Sequence, residues 1–167
     1  LTPATASKDE ATALIETVSN SLSEGAELIE TQVSADHKLI FAIIESENTA
    51  FAPALTAAIG ERASVVGPDE VRLVGAELDD IKKLKKDADY LVEWDIPAEI
   101  TMEQYLTRKK ANAPKYAEVP EVSFLRTYVR EDTAKCLCFY DAPDEDAVLR
   151  ARKAVSTPID RLFKLHA

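Results

Sequence analysis

What most constrains this chain is that one stretch of it is written twice. Sliding residues 27–46 onto 123–142 sets Thr31 on Thr127, Val33 on Val129 and Asp36 on Asp132 without a gap. Each stretch is a pair of apolar runs joined by a short polar turn, and each is followed by apolar residues at helical spacing. A 167-residue chain built this way is expected to fold as two related units. Units of roughly 80 residues are near the lower size at which one core sustains itself, so the two are expected to lean on each other.

The second copy is the cleaner one. Asp89–Ile96 reads as a strand ended by Pro97. Thr101 and Gln104 have capping-box spacing and open a helix whose apolar stripe is Met102, Tyr105, Leu106 and Ala113, up to Pro114. Val122–Arg130 and Lys135–Tyr140 read as a hairpin turning at residues 131–134. A helix follows Ala142-Pro143-Asp144, with Val148, Ala151 and Val155 in its stripe, and Ile159–Leu165 closes the unit. The order βαββαβ is the ferredoxin-like, split-βαβ arrangement.

The first copy follows the same plan. Ser7 caps a helix bearing Leu14, Val18 and Leu22; Glu27–Val33 and Lys38–Ile44 form the hairpin; Phe51, Leu55 and Ile59 mark the second helix; Val71–Val74 is the expected closing strand. The counterpart of Asp89–Ile96 would lie before Leu1, so this unit is expected to lack its opening strand or to fill the place otherwise. The predicted organisation is a degenerate repeat at 1–79, a linker at 80–88 and a full repeat at 89–167.

Strand faces suggest how the units meet. Leu39–Ile44 and Lys135–Tyr140 are apolar on both faces, whereas a sheet with helices on one side needs only one apolar face. The fold class expected is therefore α+β: two ferredoxin-like units packed sheet to sheet, a single-chain form of a dimeric α/β barrel. With Leu137 and Phe139 set toward the helices, Cys136, Cys138 and Tyr140 would face the other sheet, joined by Arg126 and Tyr128. Whether Glu93 and Asp95 share that face, or Tyr90, Val92 and Trp94 do, alternation alone leaves open. Thiols, phenols, a guanidinium and a carboxylate converging there would make a ligand pocket.

Composition narrows the partners. The net charge is −10, and the only basic cluster, Lys82, Lys83, Lys85 and Lys86, is interleaved with aspartates and reads as a solvated linker. Clustered cations are what hold phosphate backbones and anionic lipid, so neither nucleic acid nor a membrane is an expected partner. No apolar run reaches the ~18 residues of a membrane span. Cys136 and Cys138, two apart on a strand, point in parallel and are expected to be free thiols, which fits a reducing, cytoplasmic compartment. Leu1 is not an initiator methionine, so removal of a preceding segment is expected.

YLVEWDIP at 90–97, RTYVRED at 126–132, KCLCFYDAPDEDAV at 135–148 and TPIDRLFKL at 157–165 resemble a family of small bacterial proteins typified by a nickel-binding, nickel-responsive member. Cys138-x-Tyr140-Asp141-Ala142-Pro143 and Thr157-Pro158-x-Asp160 are the most specific segments. The resemblance implies a ferredoxin-like fold, self-association through the sheets as in a homodimer, and binding of nickel or a similar divalent ion. The family commonly has a histidine where Trp94 stands here. His37, in a hairpin turn, and His166, next to last, occupy places where histidine is usually solvated.

Three functions follow. The first is binding of a divalent metal or small ligand, with Glu93, Cys136 and Cys138 as metal ligands and Arg126, Tyr128 and Tyr140 as ligand-binding groups. Against it, free cysteine is among the most buried residue types, so packing is the plainer role for both thiols; Glu93, if buried, needs a partner such as Arg126. The second is a small-molecule enzyme of the dimeric α/β-barrel kind, with Glu93 or a tyrosine as acid or base. The third is a non-catalytic scaffold whose unpaired sheet edge near Leu1 accepts a strand.

Overall fold

The computed structural model describes residues 1–84 and 87–165. In chain order the elements are β1 (Thr2–Pro3), α1 (Lys8–Ser21), β2 (Ala26–Val33), β3 (Ile40–Ser46), α2 (Ala52–Ile59), β4 (Ala63–Ser64), β5 (Val71–Val74), α3 (Leu78–Ile81), β6 (Tyr90–Asp95), α4 (Met102–Asn112), β7 (Ser123–Arg130), β8 (Lys135–Asp141), α5 (Glu145–Ala154) and β9 (Arg161–Lys164). The protein is thus a mixed α+β chain with antiparallel sheets. It divides into two compact units: Leu1–Pro68 with Ile81–Leu84 and Leu165, and Asp69–Asp80 with the described residues of Lys85–Lys164. Among the described residues no helix is long and apolar enough to cross a membrane.

In the first unit Ser7 caps α1, its hydroxyl accepting from the Glu10 amide at 3.1 Å, and Leu14 and Val18 on the inner face are buried with Ile40, Leu55 and Ile59. Residues 1–3, where the first copy is expected to lack an opening strand or to fill its place otherwise, are paired. Leu1 and Ile40 exchange backbone hydrogen bonds at 2.7 and 2.9 Å, and Thr2–Pro3 pairs with Ala63–Ser64. β1 and β4 form one two-stranded sheet and β2 and β3 another, and Leu1, just before β1, is hydrogen-bonded to Ile40 of β3. Lys82, exposed as expected of a solvated cluster, also pairs with Glu27 at 3.3 Å and Glu45 at 2.7 Å. Lys85, Lys86 and His166 lie outside the described residues.

The second unit has one five-stranded sheet ordered β5, β7, β8, β6, β9, every pairing antiparallel. Val71–Val74, the closing strand expected for the first copy, is the edge strand here and pairs with β7 from Val71↔Arg130 to Val74↔Thr127. The alternation that marks a strand says nothing of which sheet receives it, and the two-residue strand Ala63–Ser64 is too short to leave a pattern. The capping box at Thr101 and Gln104 is complete, at 2.9 and 3.2 Å, and α4 runs on through a 3₁₀ turn at Ala113–Glu118 with Pro114 in its first turn. Asp144 caps α5 through the Ala147 amide at 2.8 Å.

The two hairpins are alike in fine geometry. The β-bulge between Leu28 and Glu30 recurs between Phe124 and Arg126, the same offset that carries Thr31 to Thr127. His37 and Thr133, again at that offset, both adopt positive φ, 60° and 61°. In each turn an aspartate, Asp36 or Asp132, accepts the amide two residues on, at 3.1 and 3.0 Å.

Candidate functional site

The register of the second unit determines which side chains can meet. Tyr90, Val92 and Trp94 of β6 stand opposite Tyr140, Cys138 and Cys136 of β8, and all six are buried with Tyr105 of α4 and Ala147, Val148 and Ala151 of α5. The thiols and Tyr140 therefore lie beneath the helices. This reverses the face expected for them, and the reason is that both faces of β8 are apolar: alternation separates the two sets without saying which set the helices cover.

Glu93, Arg126 and Tyr128 belong to the opposite face with Leu137 and Phe139, so the six nominated residues are split three and three. There the Arg126 guanidinium lies 4.9 Å from the Phe139 ring centre, and Tyr128 meets the same ring edge-on. Glu93, for which Arg126 was a candidate partner, is hydrogen-bonded by Arg161 of β9 and lies 3.9 Å from Lys135. Asp95 also accepts from Arg161, at 2.6 Å, and this guanidinium holds its carboxyl below the usual range.

Under the helices is a cavity of about 400 Å³, walled mainly by apolar groups and within the size range of small-molecule sites. Trp94, Tyr105, Tyr116, Phe124, Cys136 and Cys138 line it, with Val74 and Gly75 of the β5 end. Gly75 has φ 89°, and a Cβ there would stand 2.8 Å from Phe124 Cε1, so glycine is what lets the edge strand pass this close to the Phe124 wall.

One cluster of polar atoms interrupts the apolar lining. Arg152 of α5, 3% exposed, donates from one terminal nitrogen to Tyr140 Oη at 3.1 Å and Cys138 Sγ at 3.5 Å, and from the other to the Pro158 carbonyl at 2.5 Å. Its Nε is buried and finds no hydrogen-bond partner among the described residues. Tyr140 and Tyr116 share a hydroxyl–hydroxyl bond of 2.7 Å, and Thr127 Oγ1 donates to Cys138 Sγ at 3.2 Å. The two sulfurs are free thiols 3.9 Å apart. Cys136 donating to Cys138 lowers the Cys138 thiol well below its ordinary range; burial opposes this, while Lys109, Arg152 and Thr127 add to it. That bond and burial push Cys136 the other way, and burial raises all three phenols, Tyr105, Tyr116 and Tyr140. The arrangement can hold Cys138 as a thiolate beside a fixed guanidinium.

Sequence reasoning missed Arg152 and Lys109. A signal for the first was present: Arg152 falls on the same helical stripe as Val148 and Val155, and a charge within a buried stripe marks a group with a task.

A class of protein emerges here: an α+β chain with a small-molecule-sized pocket between the sheet and helices of its second unit. Residues 90–165 match the family described as nickel responsive protein SCO4226-like, a span that includes the segments from YLVEWDIP to TPIDRLFKL. No curated protein and no solved structure matches the chain significantly. The donors do not fit a resident nickel ion. Among the described residues no three of His, Cys, Asp and Glu come together, and the one pair of soft ligands, Cys136 and Cys138, lies beside cations.

Proposed function

We propose that this protein binds a small, largely apolar organic molecule in the pocket beneath α4 and α5. The observation that carries the reading is the cavity itself, an apolar space of about 400 Å³ interrupted by one cluster of polar groups around Arg152 and Cys138. Such a space, with few and convergent polar groups, is the usual form of a small-molecule site. The polar and aromatic lining belongs to the second copy alone. At the repeat offset the first copy has Ile40, Ala42 and Ile44 in place of Cys136, Cys138 and Tyr140. Both units are read as ferredoxin-like, supported in the second by the order β9, β6, β8, β7 and in the first by the β2–β3 hairpin with Leu1 bonded to Ile40 beside it; the second unit then carries the function on a duplicated frame.

Trp94 is the only tryptophan and lines the pocket, so its emission reports occupancy directly. Titration with 2-naphthol is expected to change that emission saturably, and an Ala113→Phe variant, which projects a ring into the space, should weaken binding. Unchanged emission together with no calorimetric heat would contradict the reading.

Nickel binding is a second reading, favoured by the description of the matching family. It would draw on Cys136 and Cys138 and requires further donors, supplied by the nickel's own waters or a second copy in a homodimer. Calorimetric titration of nickel into the wild type and Cys138→Ser tests it. Binding lost in the variant supports the thiols, and absence of binding in the wild type removes the reading.

A further inference from the structure

The sign of the pocket's charge is opposite to that of the chain. The protein carries 30 acidic and 20 basic side chains, yet the pocket lining includes Arg108, Lys109, Lys110 and Arg152 and neither Asp nor Glu. Chance placement on so acidic a chain would favour the reverse. The cations are also held toward the space. Lys109 Nζ lies 4.4 Å from the Phe124 ring centre and Arg108 5.8 Å from that of Trp94, so both stack on pocket walls, and Arg108 is tied to the Ser156 carbonyl at 2.5 Å. Arg152 is buried with its Nε lacking a partner, although an unpaired donor on a buried cation costs more than one left unpaired in water.

Resting on the pocket reading above, we infer that the ligand is an organic anion, an apolar body bearing a carboxylate or similar acid group that docks among Arg152, Lys109 and the cations at the mouth. Four positive side chains thus face the space with no carboxylate in the lining to balance them. Low-dielectric walls strengthen attraction to an anion, and convergent cations raise its local concentration. The same charges repel a divalent cation, consistent with the poor fit to nickel.

The test compares three ligands of one shape, 2-naphthoate, 2-naphthamide and 2-naphthylmethylammonium, by Trp94 emission and calorimetry on the intact chain at low and high salt. The acid is expected to bind about tenfold or more tightly than the amide, as a charge-assisted bond would give, and the ammonium not to bind. The preference should shrink several-fold in Lys109→Gln, a half-exposed position that leaves folding intact, and further in Arg152→Gln where that variant folds. Equal binding of acid and amide, a preference unchanged in Lys109→Gln, or tighter binding of the ammonium would overturn the inference while leaving the pocket reading standing. Binding of none of the three would overturn both.

Discussion

At the residue scale, the chemistry of the pocket rests on two sulfurs treated unequally. Cys138 accepts hydrogen bonds from Cys136 and Thr127 and lies beside Arg152, and its thiol is held below the ordinary value of 9.0. The unfolded chain keeps that proton until about 9, so unfolding takes up a proton at lower pH. Stability from Cys138 is therefore complete above about 9 and lost as pH falls through its folded value. Cys136, raised, has the opposite sign: its contribution is complete below 9.0 and lost as pH rises toward its folded value. Thiolate ultraviolet absorbance of the native protein should show one thiol ionised below pH 9 and the signal abolished in Cys138→Ser; two thiols titrating together near 9 would contradict this. Gly75 governs the wall. Gly75→Ala, strained at positive φ and driven against Phe124, is expected to cost about 1–2 kcal/mol in urea unfolding and to weaken ligand binding.

At the scale of elements, much was legible in the sequence because local rules decided it. Ser7, Thr101 and Asp144 cap the helices as their side chains dictate, and the hairpins fall where the repeat places them. Faces were less legible: β8 is apolar on both sides, so only the packing of Tyr105, Val148 and Ala151 tells which set is covered. Partnership of β5 was not legible, since four residues of alternating pattern fit either sheet. Arg152 went unread because the stripe of α5 was judged by its apolar members. The turns also carry a testable strain. Thr133, β-branched at φ 61°, holds a conformation natural to glycine, so Thr133→Gly is expected to stabilise the protein by about 0.5–1 kcal/mol in chemical denaturation. A destabilised variant would mean that the Thr133 side chain, 8% exposed, contributes more packing than its backbone costs.

At the scale of the whole molecule, the two units share a hairpin geometry and differ in what lies beneath their helices. The hairpin turn, its bulge and its aspartate occur in both units, whereas thiols, phenols and a buried cation lie beneath the helices of the second. The unit that holds the pocket is also wider than the matched segment 90–165, because Val74 and Gly75 supply part of its wall from upstream. The most direct test of the pocket is to titrate uniformly ¹⁵N-labelled intact protein with 2-naphthoate and follow amide and indole shifts. The expected result is perturbation centred on Trp94, Tyr105, Cys136, Cys138 and Gly75. Shifts centred instead on Glu93, Arg126 and Tyr128, or on the Ala26–Val33 and Ile40–Ser46 hairpin, would contradict the account.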